Sequence, residues 1–434
     1  MHLPEIETLP RPQLEKLQSE RLTTLIERLQ ACDTPFWKEK LGGVGGVSSL
    51  SDITSLPFTD KAEFRDTYPF GMTAVPREDV VRIHASSGTS GKPTIVAYTA
   101  NDIALFAEVN ARALAGMGGT RDDIIQVAYG YGLFTGGLGL HYGVEALGAV
   151  AVPTSGGNVR AQVSFLVDLG ATGLACTPSF ALLLAEHAQA EGVMDQIQLR
   201  WGIHGAEPWS ESFRQKVEEA WGGDYQACDV YGLSEVIGPG VAAECRENKG
   251  GLHVMEDHFY PEIVDPETGE PAADGELGEL VLTSLTKEAQ PVIRYRTRDL
   301  TRFVDDECPC GRTSRRIDRF QGRADDMLII RGVNVYPRAI ESVLLEDPAL
   351  SGQFALIIDR RPTLPELEAR VELANASHSP RREEIARQLQ RRLVTVLRLR
   401  VEVTVGDPGS VPRQEVGKAK RIFERIDDTD PLLV

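Results

Sequence analysis

The chain has no apolar run near the length of about 18 residues that a membrane-spanning helix needs. Its first residues, with Glu5, Glu7 and prolines at 4 and 10, lack the basic and apolar regions of a secretory signal. The expected setting is the cytosol, away from membranes. Positive charge is also short: the formal net charge of −18 excludes broad contact with a phosphate backbone, so nucleic acid is not an expected partner. Any nucleotide should be small and held locally. Internal repeats and low-complexity segments are absent. What remains is ordinary globular composition, 42% hydrophobic and 25% charged over 434 residues, which is enough chain for a large domain and a small one.

The most informative segment runs from Arg82 to Thr99, two apolar strand-like runs joined by Ser86-Ser87-Gly88-Thr89-Ser90-Gly91-Lys92. Glycines let backbone N–H groups turn toward an anion, hydroxyls add donors, and Lys92 supplies charge. Spacing separates this loop from two familiar motifs. A Walker loop needs four residues between glycines and Ser or Thr after the lysine, whereas here two intervene and Pro93 follows. The serine-hydrolase elbow fails because Lys92 stands where its closing glycine belongs. Alone, the segment reads first as a phosphate cradle, with a polar hairpin loop without ligand as the alternative.

Six further motifs follow in order: YGYGLFTGGLG (129–139), HGAEPW (204–209), DVYGLSE (229–235), YRTRDL (295–300), GRADDMLIIRGVNVYP (322–337) and VPRQEVGKAKR (411–421). Together with the Ser86–Lys92 loop they resemble the adenylate-forming acid–CoA ligases, in their phenylacetate–CoA ligase branch, over nearly the whole chain. The resemblance implies an α/β fold: a large N-terminal domain of layered sheets and helices with a β subdomain, residues 1–322, and a small mobile α+β domain, 323–434. It also implies ATP and CoA as substrates with Mg2+ as cofactor.

Residue patterns agree with layered α/β architecture. Leu14, Leu17, Leu22, Leu25, Ile26 and Leu29 fall near helical spacing, predicting an amphipathic helix. Short apolar runs at 124–129, 149–152 and 173–176 alternate with helical stretches. Between about 250 and 320 the chain turns strand-like, clearest at 278–283. Beyond residue 322 the pattern predicts strands at 327–330, 354–358, 368–373 and 401–405, and helices from Pro337 and over 382–397.

By resemblance, the Ser86–Lys92 loop holds the β- and γ-phosphates of ATP. Tyr231 lies on the adenine face with Gly232 beside it, and Asp229 is near the adenine amino group. Ser234 meets the α-phosphate and Glu235 binds Mg2+, a hard ion that takes few carboxylates plus phosphate oxygens. Gly205, Ala206, Glu207 and Pro208 form a shelf on the other adenine face. Asp299 accepts from the ribose hydroxyls, with a surface ion pair to Arg296 or Arg298 as the ordinary alternative. Arg323 contacts ribose and phosphate, Asp325 is the hinge, and Lys418 is the mobile catalytic lysine bridging the acid's carboxylate and the α-phosphate.

Tyr129 and Phe134, with their neighbouring glycines, match the wall of an aryl-acid pocket, although both could simply be core. His204, which precedes Gly205, is a candidate to bond a ring substituent, so phenylacetate itself is open to question. Lys61 is read first as a surface residue, with an approach to the acid as the alternative. Cys245, His253, Cys308 and Cys310 suit a closed tetrahedral Zn2+ site of structural purpose, whereas Cys32, Cys176 and Cys228 read as isolated thiols. The implied activity is ATP-dependent formation of an aryl-acyl adenylate, then a CoA thioester. Loading of a carrier-protein thiol, or a nucleotide-binding regulator without chemistry, stays open at this level. A homodimer is compatible with the sequence, which does not set the oligomeric state.

Overall fold

The computed structural model describes residues 1–86, 93–324, 328–330, 333–362, 364–413 and 421–432. Contacts divide the chain into two compact units. The first comprises Met1–Cys176, His187–Ala206 and Asp224–Arg319; the second comprises Thr177–Glu186, Glu207–Gly223 and Phe320–Val434. The second unit thus takes in two pieces of earlier chain that a boundary near Arg323 does not anticipate.

In the first unit β1 (Arg82–Ala85) and β2 (Ile95–Tyr98) pair antiparallel, Arg82 opposite Tyr98 and Ala85 opposite Ile95. Next come β3 (Ile124–Val127), β4 (Val150–Val152), β5 (Gly173–Cys176), β6 (Trp201–Gly205) and β7 (Gln226–Leu233), all parallel in the order β4-β3-β5-β6-β7. The fully buried β5 and β6 have the continuous apolar character of a sheet covered on both faces. Antiparallel β8 (Gly238–Cys245) and β9 (Asn248–Val254) extend the sheet. A second sheet is antiparallel, from β10 (Phe259–Val264), β11 (Gly278–Ser284) and β12 (Tyr295–Thr301). Short strands β13 (Phe303–Val304) and β14 (Arg316–Ile317) return to β9 and complete nine strands in the main sheet. The β-rich stretch expected between 250 and 320 is therefore built in two places.

Helix Arg11–Ala31 buries Leu14, Leu22, Leu25, Ile26 and Leu29, while Leu17 is only half-buried and Gln18 takes a core position instead. Helix Ala100–Gly116 starts at a reciprocal cap, in which Asp102 N–H donates to Thr99 Oγ1 (3.1 Å) and Thr99 N–H to the Asp102 carboxylate (2.9 Å). Among the described residues no helix is long and apolar enough to cross a membrane.

The second unit centres on a mixed four-stranded sheet ordered 402–406, 366–373, 350–359, 422–425. Helices Pro337–Leu345 and Arg382–Leu397 cover it, the latter through Ile385, Leu389, Leu393 and Leu397 at four-residue spacing.

Candidate nucleotide and acid site

Open α/β sheets bind ligands beyond the carboxyl ends of their parallel strands, and the motif residues of the first unit gather there. β6 ends at Gly205, which lies opposite Val230 of β7. A Cβ on Gly205 would stand 2.2 Å from the Val230 carbonyl oxygen, so only glycine allows this approach. Ala206 follows at φ +70°, a left-handed conformation unusual for a residue with a side chain. Along β7 the Asp229 N–H donates to Glu244 at 2.7 Å. Tyr231 donates its phenolic proton to Asp299 Oδ2 at 2.6 Å, joining two motifs 68 residues apart. Gly232 is as constrained as Gly205, since a Cβ would meet the Gly238 oxygen at 1.8 Å.

The turn after β7 carries Ser234 and Glu235, both nearly buried. Ser234 Oγ lies 3.2 Å from Thr135 Oγ1, and the Glu235 carboxylate pairs with Lys61 Nζ at 3.3 Å. Lys61 is half-exposed, but its partner makes it part of this site, a placement that its sequence context hardly signals. The β1–β2 pair meets the 129–139 motif through Leu133, whose carbonyl accepts from Ala85 N–H (2.8 Å) and lies 3.1 Å from His84 Nδ1. Ser86 N–H donates to Thr94 O at 3.0 Å, continuing the β1–β2 pairing. His84 was unmarked by any motif, and its burial, with Arg82 and Lys287 nearby, lowers its pKa.

Tyr129 is buried, with its hydroxyl 3.3 Å from the Gly205 carbonyl, and Phe134 is half-buried at the start of helix Thr135–Leu147. Of the neighbouring glycines, Gly137 and Gly139 serve protein packing, as does Gly143 beyond the motif, whereas a Cβ on Gly130 or Gly132 would meet nothing within 4 Å. A Cβ would strike Gly130 O from Gly137 (2.6 Å), Phe106 from Gly139 (2.6 Å) and Asn110 from Gly143 (2.4 Å). His204 departs from its expected place in the acid pocket. It is fully buried, with Nδ1 3.0 Å from Cys176 O and Nε2 2.9 Å from the Tyr225 hydroxyl. Both ring nitrogens are thus engaged inside the sheet layer, leaving none for a ring substituent.

In the second unit, Glu207 accepts from Ser179 N–H at 2.7 Å and Pro208 follows it. Arg323 is half-buried in the two-residue strand Gly322–Arg323. Ser87, Gly88, Thr89, Ser90, Gly91, Lys92, Asp325 and Lys418 lie outside the described residues.

The structure also brings Cys245, His253, Cys308 and Cys310 together, their ligand atoms all within 4.8 Å of one another. Cys245 ends β8, His253 is on β9, and the Cys308–Cys310 turn is closed by Gly311 at φ +81°. Cys245 Sγ lies 3.4 Å from Cys308 Sγ, and Cys310 Sγ 3.4 Å from His253 Nε2. Burial pushes the Cys245 thiol up; at Cys310 burial is outweighed by His253 and the Arg312 N–H, which bring it down to about 5. Cys32, Cys176 and Cys228 stand apart from this group.

Comparison with known proteins shows the family. The AMP-binding enzyme family matches residues 13–286, and the AMP-binding enzyme C-terminal domain matches 332–425. The phenylacetate-coenzyme A ligase of Thermus thermophilus is 46% identical over 448 residues, covering 98% of this chain and 99% of that protein. That of Escherichia coli is 46% identical over 431 residues, covering 97% of each. Among solved structures, 2-hydroxyisobutyryl-CoA ligase in the postadenylation state superposes with a TM-score of 0.90 at 28% identity, over 98% of this chain and 92% of that one. The chain belongs to the AMP-binding enzymes, in their phenylacetate–CoA ligase branch.

Proposed function

We propose that this chain activates an aryl carboxylic acid with ATP and transfers the acyl group to CoA, with phenylacetate first among the acids. A carboxylate oxygen attacks the α-phosphorus, the bond to pyrophosphate breaks, and an acyl adenylate forms. The CoA sulfur, its proton released to solvent, then attacks the acyl carbon and AMP leaves. The observation that carries this reading is the 46% identity, over nearly the full length of both chains, to phenylacetate-coenzyme A ligases. Withdrawal of His204 into the core supports an acid without a polar ring substituent, because no imidazole is left to select one.

Both steps move negative charge between oxygens, so positioned donors and cations matter more than a protein nucleophile. In this reading Tyr231 and Gly232 on one side, and Gly205 to Pro208 on the other, enclose the adenine, with Asp229 near its amino group. Asp299, held by the Tyr231 hydroxyl, accepts from the ribose hydroxyls. Ser86 to Lys92 hold the outer phosphates, Ser234 and Arg323 the inner part of the nucleotide, and Tyr129 and Phe134 the aryl ring. Lys418 bridges acid and α-phosphate, and Asp325 is the hinge of a mobile 323–434 domain. The nearly buried Glu235 carboxylate, whose partner Lys61 is an exchangeable surface ammonium, fits a magnesium ligand. Bound there, Mg2+ would neutralise developing phosphate charge. The Cys245, His253, Cys308 and Cys310 cluster fits a structural zinc, since three sulfurs and an imidazole at these separations close a tetrahedral site.

The test is a pyrophosphate-exchange screen over phenylacetate, hydroxyphenylacetates, benzoates and aminobenzoates, followed by product analysis with CoA. Exchange strongest with phenylacetate, and AMP formed with phenylacetyl-CoA, are expected. ADP formation, or no CoA adduct with any acid, overturns the reading.

A further inference from the structure

Lys287 is fully buried just beyond β11, outside every motif that marks the site. Its ammonium lies 4.8 Å from the centre of the Tyr98 ring and 3.4 Å from the main-chain oxygen of Glu235. The setting is unfavourable for a cation: burial pulls its pKa down to about 8, although the Asp102 and Glu235 carboxylates favour the charged form. An apolar side chain of similar length would fill such a place at less cost.

The backbone under this lysine is held from three sides. Thr286 Oγ1 meets His258 Nδ1 at 2.8 Å. Arg28 donates to the carbonyls of Lys287 (2.6 Å) and Glu288 (2.7 Å). Asp102 accepts from the N–H groups of Glu288 (2.6 Å) and Ala289 (2.9 Å). The ammonium is therefore mounted on a segment with little freedom to move. Tyr98, whose ring it covers, donates its hydroxyl proton to Ile237 O at 2.8 Å. Two donors from outside the turn thus reach two carbonyls of the turn that carries Glu235, and one of them, Tyr98, is the last residue of β2.

We propose that Lys287 is a positioning residue for magnesium-dependent nucleotide binding: by anchoring the Glu235 carbonyl, it fixes the direction of the carboxylate. The inference rests on the reading of Glu235 as a magnesium ligand. Charge and position give opposite signs here, because simply deleting a nearby cation would tighten magnesium binding, whereas releasing the anchored turn weakens it.

The experiment is calorimetry of ATP binding with and without magnesium, the ratio of the two dissociation constants reporting the metal's contribution, for wild type, Glu235→Gln and Lys287→Met. Support requires Glu235→Gln to abolish most of the magnesium advantage and Lys287→Met to reduce it about tenfold, the range seen for residues that orient metal ligands. In steady-state assays the Lys287→Met change should fall on the magnesium requirement while the KM for phenylacetate stays put. An unchanged or larger advantage in Lys287→Met, with Glu235→Gln impaired, overturns the inference and leaves the metal ligand standing. An unaffected Glu235→Gln removes the ligand reading and the inference with it. If Lys287→Met shows no cooperative melt, Tyr98→Phe takes its place, since it removes the second anchor and keeps the ring. A smaller loss of the same sign supports the proposal, and no loss overturns it.

Discussion

Two short contacts at the ends of β6 and β7 set what single substitutions should do. The Tyr231 proton reaches Asp299 at 2.6 Å, and a hydrogen bond to an ionised acceptor contributes about 1.5–3 kcal/mol. Tyr231→Phe keeps the ring but takes this donor from the carboxylate, so the KM for ATP in pyrophosphate exchange should rise about tenfold with a smaller change in kcat. An unchanged KM would show that Asp299 needs no such support. Gly205 and Ala206 are neighbours with opposite expectations. Gly205→Ala forces a Cβ to within 2.2 Å of the Val230 oxygen, a backbone atom that cannot swing aside, and about 1–3 kcal/mol of stability should be lost. Ala206→Gly relieves φ +70° and should leave stability level or raise it by up to about 1 kcal/mol. Urea unfolding of both variants checks the pair, and equal effects of the same sign would contradict the backbone argument.

Among the elements, the cysteine turn has the most to hold together. Its partners lie on β8 and β9, and Arg312, two residues past Cys310, bonds the buried Glu7 carboxylate at 2.6 Å. Glu7 in turn accepts from the N–H groups of His2 and Leu3, both at 2.8 Å. The turn therefore fastens the N-terminal segment to the main sheet. With zinc bound there, Cys310→Ser should strip the metal and lower Tm by about 5 °C or more, while the KM for ATP holds, because the β8 residue opposite Tyr231 is Ala242, three residues before Cys245. Metal analysis beside a thermal melt decides it: a full complement of zinc in the variant, or none in the wild type, removes the site. This cluster was legible because Cys and His are rare and chemically specific. Strand Ile422–Arg425 was not, since it is short and half of it is charged. In the fold Arg425 meets Asp359 and Glu368 on neighbouring strands, so the neutralising carboxylates are far away in sequence. The glycines around Tyr129 and Phe134 divide in a way their sequence does not announce: packing fills the place of a Cβ at Gly137 and Gly139, whereas Gly130 and Gly132 leave it open. His204 followed the same rule, its proximity to a motif saying nothing about which face of β6 it occupies.

For the whole molecule, an excess of carboxylates at −18 makes acid the informative stress. Several carboxylates are held below their usual range against the opposing effect of burial. Arg312 does this at Glu7, His258, Arg112 and Arg21 at Asp257, Thr172, Thr120 and Arg200 at Asp123, and Arg413 at Glu372, so both units contribute. Each binds fewer protons folded than unfolded as the pH approaches about 4. Their stabilisation is complete above the unfolded pKa and is lost as pH falls through the folded one. Glu262 and Glu186 act in the other sense, because burial raises them and protonation relieves that penalty. Early acidification also reduces the net negative charge and its self-repulsion. The urea midpoint should therefore stay nearly level from about pH 7 to 5, where gains and losses offset, and fall steeply below about pH 4.5 as the paired carboxylates protonate. Salt separates the causes, since buried pairs are screened far less than exposed ones. The acid limb should survive in about 0.5 M salt if buried pairs such as Asp257–Arg112 and Glu7–Arg312 produce it. Its disappearance there would instead assign acid sensitivity to the surface field, and Glu7→Gln would then leave the limb where it was.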